Sequence, residues 1–165
     1  RSAPRHHPTR DGPEAMPGTT VASVSDIRDQ SFDKFDALAL YALLRLRVDV
    51  FVVEQECPYP ELDGRDLEPT TRHVWIDEGG MPVACLRLLA EPDGSHRISR
   101  VATAADQRHQ GLAGLLVDHV MATTPGRLVL DAQTYLEPWY VEHGFARTGD
   151  EFTDDGIPHV PMERG

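Results

Sequence analysis

The first long apolar stretch, "FDALALYALLRLRVDVFVVEQ" (35–55), carries Leu38, Tyr41, Leu44, Val48 and Phe51 three or four residues apart. That spacing predicts one helix and then a second short one, both facing a sheet. "RHVWID" and "MPVACLRLLA" read as strands joined by the turn "EGG" (78–80). "EPDG" (91–94) turns the chain into the strand "HRISRVATA" (96–104). A helix over 109–123, a strand "RLVLDA" (127–132), a helix "LEPWYVEHG" (136–144) and a last strand pair around "FARTGDEF" and "PHVPM" follow. Weak alternation in "VASVSDI" (21–27) predicts a first strand. Pro158 and Pro161 place the final strand at an edge or on a bulge. Strands and helices mixed over one sheet make a three-layer α/β or α+β domain.

Residues 1–20 are rich in Pro, Gly and polar groups without periodicity and read as a disordered leader. Residues 21–165 then form one domain, long enough to bury its own core. No run of 18 apolar residues predicts a membrane span, and no internal repeat is visible. Cys57 and Cys85 lack metal-type spacing and read as reduced thiols of a cytoplasmic protein. His6 and His7 in the leader carry little weight, so no metal site is expected. A net charge of −11 argues against a nucleic-acid partner and leans toward a cationic substrate. The same acidity also serves solubility.

One stretch departs from ordinary helix rules. In "RISRVATAADQRHQGLAG" (97–114) a strand breaks into a loop, and Arg108, Gly111 and Ala113 crowd the start of the next helix. Glycine inside a helix costs roughly 1 kcal/mol against alanine. At a helix N-terminus, however, unpaired N–H groups make an anion site, and glycine lets the backbone approach the ligand. With a forked arginine beside it, the triplet has the physics of a diphosphate cradle.

Arg108-x-x-Gly111-x-Ala113 resembles the coenzyme A pyrophosphate motif of the GNAT superfamily of N-acetyltransferases. "WYVEHGFARTG" (139–149), with Tyr140, Gly144 and Phe145, resembles that superfamily's Tyr-x-x-x-Gly-Phe signature. "LYALLRLRVDVFVVEQECPYPELDGRD" (40–66), "LDAQTYLEPWY" (130–140) and "DGIPHVPM" (155–162) narrow the resemblance to the ElaA-like subfamily. It covers residues from about 32 to 163. It implies a mixed, mostly antiparallel central sheet with splayed middle strands and helices on both faces. Val101, Ala102 and Thr103 would pair with the pantetheine arm, which enters between their strand and 127–132. Backbone N–H groups across Arg108, His109, Gln110, Gly111, Leu112, Ala113 and Gly114 would hold the pyrophosphate of acetyl-CoA. Many members carry glycine where this chain has His109.

The resemblance further implies direct acetyl transfer to the amine of a small molecule or peptide, and a homodimer is common in the superfamily. An ammonium must first lose a proton, the oxyanion needs a backbone N–H near Val101 to Thr103, and the thiolate needs a proton. Tyr140 occupies the position for the last task; its plain alternative is a core aromatic. Glu54, at the end of the second predicted helix, is the candidate general base or else a solvated acid. Glu61 and Asp63 bind an ammonium or face water. His73 and His159 read as structural, or as proton shuttles near a mouth. Arg45, Arg47 and Arg100 cluster, and Asp49, Glu54 or Asp131 could neutralise them. A carboxylate-recognising pair, Arg47 and Arg100 with His73 nearby, is the sharper alternative to a structural ion network. "LRVDVF" and "ISRV" also resemble acyl-homoserine-lactone synthases, though the tryptophan that follows there is missing. A non-catalytic acyl-CoA-binding regulatory domain would share the same cradle.

Overall fold

A computed structural model describes residues 27–165. The leader, and the predicted strand 21–27 apart from Ile27, lie outside the described residues. The strand that is described, β1, runs Ile27–Gln30. After it come α1 (Ala37–Val48), β2 (Arg72–Glu78), β3 (Met81–Ala90) and β4 (His96–Thr103). Then follow α2 (Leu112–Thr123), β5 (Leu128–Gln133), α3 (Glu137–Glu142), β6 (Ala146–Arg147), β7 (Phe152–Asp154) and β8 (Ile157–Arg164). The sheet order is β1-β2-β3-β4-β5-β8-β6, with β7 also on β8. Every pairing is antiparallel except β4 with β5.

Alternation along the strands feeds two cores. Val74 and Ile76 of β2 and Ala84, Leu86 and Leu88 of β3 pack with Leu112, Leu116, Val117 and Val120 of α2 and Tyr140 of α3. Between them in sequence, Trp75 and Cys85 turn the other way, onto Leu43, Leu46 and Val50 beneath α1. So α2 and α3 cover one face and α1 the other. Among the described residues, no helix is long and apolar enough to cross a membrane.

Three expectations are corrected. Asp36 caps α1, accepting from Leu38 N and Ala39 N at 2.9 Å each. The predicted inward stripe does not hold, because Leu38 and Tyr41 are 83% and 69% exposed. The buried face is Ala42, Leu43, Leu46, Arg47 and Val50. The helix is apolar on every side, so periodicity could not choose, and the partners of Arg47 do. The second short helix is no separate element: α1 widens directly into a π-type turn, Asp49–Glu54. Finally, β8 is an inner strand, between β5 on one side and β6 and β7 on the other. Thr148 N donates to Pro161 O at 2.9 Å, so Pro161 turns its backbone toward the break between β6 and β7. No ladder residue there calls for an N–H, and the proline is tolerated.

Candidate active site

β4 and β5 touch only at their first residues, His96 with Leu128 and Arg97 with Val129. Beyond that they diverge, and a cavity of about 740 Å³ opens between them. Val101, Ala102 and Thr103 line one wall, and Leu130 to Gln133 the other. A bulge shapes the β4 wall: Cys85 opposes Ala102, but Arg87 opposes Ser99, so β4 carries one extra residue. Arg100 sits there with φ of 55°, left-handed and costly without glycine. The extra residue also reverses the faces. Ile98 belongs to the α2 core, whereas Ala102, four residues on, belongs to the α1 core.

The wall ends at the cradle. Gly111 caps α2 with φ of 76°, and Leu115 N makes a helix bond to Gly111 O at 3.1 Å. The helix therefore starts at Leu112, three residues later than the periodicity suggests, because the left-handed turn at Gly111 holds 109–111 outside it. N–H groups at the start of α2 have no helical acceptor. A Cβ on Gly111 would meet no atom within 4 Å, so the left-handed φ, not close packing, is what calls for glycine there. Leu112 is buried and anchors the helix, while Arg108, His109 and Ala113 line the cavity. A Cβ on Gly114 would stand 3.2 Å from His143 Nε2, so its absence brings α2 close to α3. Gln110 is exposed and bonds Gln107 at 3.0 Å. His109, where glycine is usual in the resemblance, adopts φ of 64°, the conformation glycine reaches freely. Arg108 Nε donates to Thr103 O at 3.2 Å, and its two Nη atoms each donate to Glu54 at 2.7 Å. The hydrogen bond from Arg108 holds the Glu54 carboxyl below its ordinary range. Glu54 itself does not line the cavity.

Tyr140 of α3 lines the cavity from the α2 side. Its ring meets Trp139 edge-on at 4.8 Å and Phe145 at 5.8 Å. Burial pushes its phenol upward, so it is neutral and able to donate.

On the α1 side the floor is charged. Glu61, 3% exposed, binds Arg47 Nε, receives the Tyr59 hydroxyl and lies 2.6 Å from Arg100 Nε. Arg47 Nη1 also donates to Asp66 at 2.7 Å. Arg87 donates to Asp63 at 2.8 Å twice and to Asp66 at 3.1 Å. The Arg100 guanidinium lies 5.3 Å from the centre of the Tyr59 ring. Arg47 and Arg100 are thus brought together on Glu61, with Asp63 and Asp66 completing the set. Of the expected partners, Asp49 does take Arg45, at 3.5 Å on the exposed side of α1, while Asp131 takes Arg97 at 2.5 Å and Glu54 takes Arg108. Arg47 and His73 are 1% exposed and lie below the cavity; Arg100, Asp63 and His159 line it. His73 Nε2 is 3.3 Å from Asp66 O, and burial lowers its pKa. Tyr59, Asp66 and Arg87 were not singled out in sequence. A charge inside the apolar run "MPVACLRLLA" was the available signal for Arg87, because a buried charge needs partners.

A splayed parallel pair running into a glycine-capped helix fits the resemblance, and direct comparison decides it. The acetyltransferase (GNAT) domain family matches residues 43–164. The chain belongs to the GNAT acetyltransferases. Protein ElaA of Escherichia coli is 35% identical over 144 residues, covering 83% of this chain and 94% of ElaA. The ElaA crystal structure superposes with a TM-score of 0.79 at 32% identity, covering 84% of this chain and 98% of that one. An acyl-CoA N-acyltransferase from Pseudomonas aeruginosa gives 0.79 at 35% identity, covering 85% and 99%. A UPF0039 protein of Mycobacterium tuberculosis is 54% identical over 136 residues, covering 78% of this chain and 86% of its own. This GNAT chain is therefore an ElaA-like acyltransferase, with the mixed, mostly antiparallel sheet of that fold.

Proposed function

We propose that this acyltransferase moves an acetyl group from acetyl-CoA directly to a primary amine of a small molecule or peptide. The observation that carries the reading is the β4/β5 splay, which leads straight to the glycine-capped start of α2. The N–H groups of residues 108–114 and the Arg108 guanidinium would hold the pyrophosphate. The unpaired edge of β4 around Val101 to Thr103 would pair with the pantetheine arm and offer an N–H to the oxyanion. Acetyl-CoA supplies the activated acyl group. Tyr140, neutral and on the cavity wall, would protonate the departing thiolate.

Other expected residues take different places in this reading. Glu54 acts on Arg108, while Arg47 and His73 support the floor from below. Arg47 and Arg100 are neutralised by Glu61, Asp63 and Asp66, which favours a structural ion network over a carboxylate-recognising pair. A cytoplasmic setting agrees with two free, buried thiols, Cys57 and Cys85.

The test is calorimetric titration with acetyl-CoA, with Gly111→Asp beside the wild type. Asparate-type residues tolerate the left-handed conformation better than most, so the variant mainly adds a carboxylate to the cradle. Binding by the wild type that is lost in the variant supports the reading; a folded wild type that binds no acetyl-CoA overturns it.

A further inference from the structure

The thiolate has a proton donor in Tyr140, but the amine has no partner in the reading above. The two faces of β5 show where that partner must stand. Leu130 and Ala132 belong to the core under α2 and α3, together with Tyr140. Asp131 and Gln133 therefore point to the α1 face. Gln133 confirms this by donating to Gln55, just beyond α1, at 3.1 Å. Its direct partner in β8 is His159. Opposed residues of an antiparallel ladder share a face. His159 is thus on the α1 side of the cavity and Tyr140 on the α2 side, and both line it. An acyl-CoA cradled at α2 threads its arm between β4 and β5, so the amine reaches the thioester from the α1 side.

The ring of His159 is set for one task. Its Nδ1 lies 2.8 Å from Ile157 O. A carbonyl only accepts, so Nδ1 carries the hydrogen. In a neutral imidazole that leaves the lone pair on Nε2. Phe152 stacks on the ring at 5.9 Å and 25°, fixing its plane. Titratable and charged groups lining the cavity with it include Asp154 of β7, Asp155 of the β7–β8 turn, Asp131 of β5, Arg100 of β4, and Cys57, Tyr59 and Asp63 of the loop after α1.

We propose that His159 is the general base of the transfer, an inference that rests on the acetyltransferase reading. Nε2 takes one proton from the acceptor ammonium and returns it to solvent. The freed nitrogen pair forms the N–C bond and gives the oxyanion, whose collapse re-forms the carbonyl and breaks the C–S bond. The nitrogen sheds a second proton, which balances the one taken up by the thiolate.

The experiment compares the wild type with His159→Gln, using acetyl-CoA and a panel of spermidine, benzylamine and a lysine-bearing peptide, and following thiol release against pH. We expect a loss of about 100-fold in kcat/KM, disappearance of the ascending limb of the pH profile, partial rescue by added imidazole, and unchanged acetyl-CoA binding by calorimetry. A variant that keeps the rate and the limb overturns the proposal. Nitrogen-15 spectra of the histidines give an independent check: an Nε2-protonated neutral ring at residue 159 overturns it too. A wild type idle with every amine counts against the acetyltransferase reading, a result distinct from an active His159→Gln.

Discussion

Glu54 grips both terminal nitrogens of Arg108, each at 2.7 Å, while Arg108 Nε reaches Thr103 O. The fork that would chelate a pyrophosphate is already closed on a carboxylate from the end of the α1 segment. On the proposed reading, binding of the pyrophosphate would displace Glu54. An exposed pair of this kind contributes about 0.2–1 kcal/mol. Glu54→Gln should therefore tighten acetyl-CoA binding by up to about 5-fold with kcat maintained, and the gain should shrink at high salt. Calorimetry at two ionic strengths reads it. A large fall in kcat instead would return Glu54 to the role of base.

Tyr140→Phe keeps the edge-on contacts with Trp139 and Phe145 and removes only the hydroxyl. Turnover should fall by about 100-fold with the melting temperature little changed. Thiol-release kinetics beside a thermal melt check both parts. Full turnover in a folded variant removes Tyr140 from the acid role.

Arg47→Met strips a buried partner from Glu61 and Asp66. Arg100, Tyr59 and Arg87 still contact those carboxylates, so the cost should fall at the lower end of the range for breaking buried pairs, about 3 kcal/mol. For a chain of this size the melt should drop by about 6–12 °C. An unchanged melt would show that the floor does not hold α1 in place.

His109→Gly should stabilise the protein. The imidazole is exposed, and the residue adopts the left-handed conformation at φ of 64°. Relief of that strain, less the extra freedom glycine gives the unfolded chain, amounts to about 0.5–1 kcal/mol. A rise of about 1–4 °C in the melt is expected.

Stability should fall in two stages on acidification. Burial lowers the pKa of His73, so protons bind the unfolded chain more readily as pH drops below about 6.5. Burial works against ionisation of Asp63 and Asp66, but their arginines outweigh it and hold both carboxyls below the usual range. Their contribution is complete above about 4 and is lost as pH falls further. Urea midpoints between pH 8 and 3 trace the curve, and His73→Gln should flatten its first stage.

The cradle was legible because its chemistry is local. Glycine and arginine at fixed offsets before a helix set backbone conformation and charge within seven residues, whatever the rest of the chain does. Strand identities from β2 to β5 were legible for a similar reason, since alternation and turn residues act over short range. The inward face of α1 was not legible: "ALALYALLRLRV" is apolar all round, and only Glu61 and Asp66, 14 and 19 residues beyond Arg47, select it. Nor was the inner position of β8, because a proline is excluded from a sheet only where a neighbour asks for its N–H, and the break between β6 and β7 asks for none.

By itself the sequence determined the order of elements from β2 to α3, the glycine-capped turn at Arg108 to Ala113 and the family they belong to, all of which depend on near neighbours along the chain. Tertiary structure alone decided that Tyr140 and His159 stand on opposite faces of one cleft, and that the arginines of the floor are matched to acids. Those relations depend on where β4 and β5 part, on one extra residue in β4 and on which strand lies beside β5. They join residues far apart in sequence, so no local pattern encodes them.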